Sequence, residues 1–211
     1  MKEPSEFRIE NLSAGPLQTN TYLVTSGNES VLIDSGTAHQ EIIEKLALSK
    51  RKVTAFVMTH GHFDHIMDAM EFKRKLGCKA MIGKGEDEIL KWSYSVSSKY
   101  MGKGIENIEL DRQLADGDLI SLGSMGLKIV ALPGHTAGSI GILAGSALFT
   151  GDALFRGTIG RTDIGGSMEL MEETLHKLSL MDENIVVYPG HGPETTIKSE
   201  KENNPFLKSI L

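Results

Sequence analysis

Three imidazoles and a carboxylate fall within six positions in Thr59-His60-Gly61-His62-Phe63-Asp64-His65. His60 and His62 are two apart in an extended or turning segment, so their side chains can converge on one ion. Asp64 and His65 open the next helix and project from its first turn. Four ligand-type side chains so close together crowd one tetrahedral ion and suit two ions side by side. Three further donors stand alone: His135 after Pro133-Gly134, Asp152 after Thr150-Gly151, and His191 after Pro189-Gly190. In each case a strand is expected to end and a glycine precedes the donor, letting the backbone bend beside a metal. A strand end is also a rigid platform for a ligand. Burying the HxHxDH cluster without partners would cost several kcal/mol, which argues against a purely structural role. His39 and His176 have no such setting and are expected to play no part.

Those donors need elements to carry them. Phe7 to Leu12, Gln18 to Thr25 and Ser30 to Asp34 read as strands, the last two joined by a hairpin at Ser26-Gly27-Asn28. Ala38 to Leu48 has helical spacing of Ile42, Ile43, Leu46 and Ala47. Val53 to Thr59 is an apolar run suited to a buried strand, and Ile66 to Leu76 a helix stopping at Gly77. Lys79 to Ile82 reads as a strand and Glu86 to Trp92 as a short helix. Ser93 to Ile108 is polar and aromatic without clear periodicity. Asp118 to Leu122, Leu127 to Leu132, Ser139 to Leu143 and Ala147 to Thr150 read as strands. Ser167 caps an expected helix over Met168 to Leu180. Ile185 to Tyr188 is a buried strand, and Thr195 to Glu202 a closing helix. Two mixed sheets with helices outside would bury these faces in a four-layer αββα arrangement, although other α/β folds share the pattern.

The 211 residues suit a single domain, 1–211, with a sizeable core. A net charge of -6 argues against a nonspecific nucleic-acid partner. One cysteine, Cys78, excludes an intrachain disulfide and a zinc ribbon and reads as a small buried residue. No leader and no apolar run of membrane-spanning length is visible, so no membrane partner and a cytoplasmic location are expected.

The donor pattern resembles the metallo-β-lactamase fold superfamily, from the Ile33-Asp34-Ser35-Gly36 turn to His191. Within it the chain is similar to the glyoxalase II-like hydroxyacylglutathione hydrolases. The similarity lies in Gly151-Asp152-Ala153-Leu154-Phe155-Arg156-Gly157-Thr158-Ile159-Gly160-Arg161-Thr162-Asp163, in Tyr188-Pro189-Gly190-His191-Gly192-Pro193, and in Asn204-Pro205-Phe206-Leu207. The resemblance implies that His60, His62 and His135 hold one metal and that Asp64, His65 and His191 hold another. It implies that Asp152 bridges the two. The ions would be two divalent cations, usually zinc, with iron or manganese also suited to imidazole and carboxylate. The sequence ends about twenty residues after His191, so the helical C-terminal domain that helps hold glutathione in such enzymes is expected to be absent. Demand for the glutathione portion is therefore expected to be small.

The implied reaction is hydrolysis of an acyl thioester, a small-molecule substrate, by a metal-bridging hydroxide. Two divalent ions outweigh two carboxylates and a hydroxide, so net positive charge remains to stabilise the oxyanion. Metal binding lowers the pKa of water to about 7. Asp64 and Asp152 are the carboxylates of this chemistry, with Asp64 also placed to orient the hydroxide. Arg156 and Arg161 could grip a substrate carboxylate, or brace their loop, with Arg161 pairing to Asp163. Trp92, Tyr94 and Tyr100 could wall the cleft or pack on the sheet. The alternatives are a one-iron persulfide dioxygenase using His60, His135 and Asp152, and a lactonase. Asp152 in the bridging place argues against a β-lactamase, and acidity against a nuclease. A non-catalytic binding protein would be expected to have lost donors, whereas all seven are present.

Overall fold

The computed structural model describes residues 7–12, 17–36, 40–49 and 51–210 and contains two mixed six-stranded sheets. The first comprises β1 (Phe7–Asn11), β2 (Tyr22–Ser26), β3 (Glu29–Ile33), β4 (Lys52–Met58), β5 (Lys79–Gly83) and β6 (Arg112–Leu114), side by side in chain order. Pairing is antiparallel up to β3 and parallel from there on. Its helices are α1 (Gln40–Leu48), α2 (Phe63–Ile66), α3 (Ala69–Leu76) and α4 (Asp87–Met101). The second sheet comprises β7 (Leu119–Leu122), β8 (Met125–Ala131), β9 (Ile140–Ala144), β10 (Ala147–Gly151), β11 (Val186–Pro189) and β12 (Thr195–Thr196). Only β10 and β11 pair in parallel there. With it go α5 (Met168–Ser179), α6 (Ile197–Asn203) and α7 (Pro205–Lys208).

Strand alternation sorts the side chains into three apolar layers. Val57 of β4 points between the sheets, with Val24, Val31 and Ile33 meeting Ile129, Ile142 and Phe149. Phe56 and Met58 point the other way, onto Ile43 and Leu46 of α1 and Phe72 of α3. On the far side Val130, Leu148 and Val187 pack against Met171, Leu175 and Leu178 of α5. The result is the expected αββα sandwich, and each large side chain so buried contributes roughly 1.5–3 kcal/mol. Among the described residues no helix is long and apolar enough to cross a membrane.

Several boundaries differ from the sequence reading. Helix α4 runs on to Met101 and ends on Gly102 in the left-handed conformation, so 93–101 is regular. Its buried face carries Ser93 and Ser97 beside Ile89 and Leu90, which is why no apolar period shows. The expected 66–76 helix is two pieces, α2 and α3, interrupted at Met67 and Asp68. Strand β6 is too short and polar to be read from pattern; only Leu114 is buried. Thr195 and Thr196 form a strand, and Thr196 caps α6. The Ser167 cap is present, its hydroxyl accepting from Leu170 N at 3.1 Å. Ala38 and His39 lie outside the described residues.

Candidate metal centre

The segments that follow β4, β8, β10 and β11 bring all seven expected donors to one place. His62 Nδ1 is 2.8 Å from His135 Nε2, which is 3.1 Å from His60 Nε2. Beside this trio, His191 Nε2 is 3.3 Å from His65 Nε2 and 3.2 Å from Asp64 Oδ2. Asp152 lies between the sets, with Oδ1 3.3 Å from His65 Nε2 and Oδ2 3.7 Å from His135 Nε2. His60, His62 and His135, and separately Asp64, His65 and His191, form groups able to hold a metal ion. A third group, His60, His65 and Asp152, links them.

The hydrogen bonds decide which ring nitrogens are bare. The outer nitrogen of each histidine faces an acceptor: Thr59 Oγ1 for His60, Ile164 O for His62, Asp34 Oδ2 for His65, Arg161 O for His135 and Leu17 O for His191. A neutral imidazole carries one proton, so the network assigns it to the outer nitrogen and leaves a lone pair inside. The inner nitrogens of His62 and His135 then oppose each other at 2.8 Å, which is repulsive unless a cation sits among them. Ligands about 2.0–2.1 Å from a tetrahedral zinc lie about 3.3 Å apart, similar to the spacings here. Among the described residues Asp152 Oδ1 is buried without a hydrogen-bond partner. The donor set therefore fits divalent metal ions.

The two halves differ electrostatically. Burial, and then neighbouring imidazoles, push His60 well below its usual pKa and His62 down to about 4. Burial also lowers His135, against the pull of Asp152. Burial opposes protonation of His65, but Asp152, Asp64 and Asp34 override it and raise its pKa. His191 is raised in the same way, burial being outweighed by Asp64 and Asp152. The trio is thus neutral, while the carboxylate-rich half attracts positive charge.

Residues that the sequence reading passed over hold the donors in place. Asp34 accepts from Thr59 N at 2.7 Å, Thr59 Oγ1 at 2.8 Å and His65 Nδ1 at 2.9 Å. It does so at φ 53, a left-handed conformation that costs a non-glycine residue about 1–3 kcal/mol. Asn20 Nδ2 donates to Pro189 O and Gly192 O, and Tyr22 Oη to Pro189 O, bracing the turn that carries His191. Glu86 is fully buried and bonded to loops on both sides. Asp34 had a signal in its strand-end turn; Glu86 read only as the start of a helix. A Cβ at Gly190 would strike Asp152 Oδ1 and His65, which explains a glycine there.

The candidate substrate contacts lie in different settings. Arg161 makes two 2.6 Å bonds to Asp163, the bracing alternative. Arg156 is turned to the Glu194 carbonyl. The Tyr94 hydroxyl accepts from Ile108 N at 3.0 Å, and its ring packs on the outer core rather than at the donors. Trp92 meets His62 edge-on at 5.6 Å, and Phe63, not singled out in the sequence, stacks on the exposed Tyr100. His176 is exposed on α5.

Comparison with known proteins agrees with this geometry. The profile of the Metallo-beta-lactamase superfamily matches residues 14–191. Hydroxyacylglutathione hydrolase GloC of Haemophilus influenzae is 32% identical over 96% of this chain and 99% of its own. The crystal structure of BLEG-1 B3 metallo-beta-lactamase superposes with TM-score 0.84 at 31% identity, covering 96% of this chain and 99% of that one. TTHA1623 in a di-iron-bound form gives 0.83 at 30% identity, covering 93% and 99%.

Proposed function

The chain belongs to the metallo-beta-lactamase superfamily, and from that premise we propose that it is a dinuclear metallohydrolase cleaving hydroxyacylglutathione-like thioesters. The observation that carries the reading is the convergence of two three-residue donor groups, His60, His62, His135 and Asp64, His65, His191, on either side of Asp152. Likeness to GloC supports the thioester substrate, and likeness to a di-iron-bound protein supports two ions. Zinc and iron both suit this donor set.

Bound divalent ions supply Lewis acidity and lower the pKa of water. The chain's own part is positional. Asp64 and Asp152 act as acceptors that orient the attacking water. The five imidazoles, each tied down by its outer nitrogen, keep the inner lone pairs aimed at one place. Thr19 donates to Asp64 Oδ2 at 3.2 Å and restrains that carboxylate. Trp92, Phe63 and Tyr100 form an aromatic wall beside His62 against which an acyl thioester can lie. Hydrolysis adds water across the acyl–sulfur bond and releases a carboxylic acid and a thiol.

The test is metal analysis of purified protein beside a screen of a hydroxyacylglutathione thioester, a lactone, a β-lactam and a persulfide. Two metals per chain with thioester turnover is the expected result. The β-lactam arm answers to the BLEG-1 likeness. One iron per chain with oxygen consumed on the persulfide would replace this reading by a dioxygenase.

A further inference from the structure

Glu86 is a carboxylate with no exposed surface, outside both donor groups. It stands at the N-terminus of α4, where an acidic side chain would ordinarily cap its own helix. Here the side chain makes no cap bond. It turns away and takes three donors from two different loops. Gly61 N donates to Oε2 at 2.6 Å, Gly138 N to Oε1 at 2.8 Å, and Thr136 Oγ1 to Oε1 at 2.6 Å. Burial raises its pKa, and the three donors oppose that rise.

The loops it joins are chemically telling. Gly61 lies between His60 and His62, after a strand of the first sheet. Thr136 follows His135, after a strand of the second. Ser93, about two turns further along α4, donates to Gly61 O at 2.7 Å, so the Gly61 residue is held through both its N–H and its carbonyl by one helix. A Cβ on either loop glycine would crowd the carboxylate. A Cβ on Gly61 would lie 3.0 Å from Glu86 Oε2, and one on Gly138 2.8 Å from Oε1. None of these contacts reaches Asp64, His65 or His191.

The geometry points to Glu86 as a positioning residue dedicated to one metal site: it ties the His60-Gly61-His62 segment to the His135 loop and so sets the spacing of the three-histidine group. This rests on the dinuclear reading above. An acceptor-only carboxylate matches three donors; a carboxamide in its place must turn an NH2 toward an N–H or hydroxyl. Changes to such outer supports typically cost 10–100-fold in metal affinity.

The experiment is titration of metal-free full-length protein with zinc, repeated with cobalt(II) followed by its d–d absorption. Crystals at less than one zinc per site would show by anomalous scattering which site fills. Wild type is expected to take two ions. Glu86→Gln is expected to weaken one of the two by about 10–100-fold, the one among His60, His62 and His135, and to leave the other within about threefold. Thr136→Val, which keeps the carboxylate and removes one donor, should weaken the same site by a few fold and covers the case that Glu86→Gln does not fold. Equal weakening at both sites, or Thr136→Val and Glu86→Gln both with wild-type zinc affinity, overturns the assignment while leaving the proposed function intact. Wild-type protein that takes up no zinc or cobalt overturns the proposed function and this inference together.

Discussion

At the scale of single residues, the centre depends on where protons sit. In its neutral form each histidine presents a bare nitrogen inward because an acceptor holds its other one. Asp152→Ala removes the carboxylate between the two donor groups. Its thioester turnover is expected to fall by at least about a hundredfold, with loss of one metal by elemental analysis. Normal turnover with two metals retained would contradict the bridging role proposed for it. Asp34→Asn is a subtler change, since asparagine tolerates the left-handed backbone. The amide must set an NH2 against Thr59 N–H, Thr59 Oγ1 or His65 Nδ1–H, so zinc affinity at the His65 site should drop about 10–100-fold. Unaltered binding isotherms would show that Asp34 serves the fold alone. His176→Ala, on the exposed face of α5, should change neither metal content nor turnover.

Elements set how much freedom those residues have. Gly134, at φ 140, precedes His135 against α5, where a Cβ would press on the backbone of Met171 at 2.5 Å. Neither the left-handed turn nor α5 can yield cheaply. Gly134→Ala is expected to cost well over about 1 kcal/mol by urea unfolding and to weaken zinc at the three-histidine site. Gly102 ends α4 at φ +67 with open space around it. Gly102→Ala should cost only the conformational penalty, about 1 kcal/mol, and leave metal binding as in wild type. Comparable losses in the two variants would mean that packing against α5 is not what demands Gly134.

For the molecule as a whole, the donors come from both halves of the sandwich. His60, His62, Asp64 and His65 follow β4 of the first sheet; His135, Asp152 and His191 follow β8, β10 and β11 of the second. Metal ions bound among them would link the two sheets. A ligand at a hundred times its Kd stabilises by about 2.7 kcal/mol, and in a domain this size each kcal/mol shifts Tm by roughly 2–4 °C. Chelation should therefore lower Tm by about 5–10 °C, and added zinc should restore it. A Tm that ignores chelator would argue against ions joining the two sheets.

What the sequence determined is local. Residue type and spacing along one segment limit what it can do, so the HxHxDH run, the glycine-preceded donors, the apolar strands and the Ser167 cap were legible directly. Faces that had to be buried suited the four-layer packing without separating it from other α/β folds; the resemblance to a known family made that choice. What only the tertiary structure decided concerns contacts between segments far apart in the chain. That Arg161 is spent on Asp163, and that Tyr94 is taken by Ile108 N, depends on which loops lie beside them. The second half of helix α4 hid because the helix's buried face is half serine, whose hydroxyls are satisfied by Gly61 O and by the backbone of the following loop. Glu86, and the three bonds that Asp34 accepts, hid for the same physical reason. A buried carboxylate is tolerated only where donors surround it, and its donors here come from 25 to 52 positions away, a proximity that no local pattern encodes.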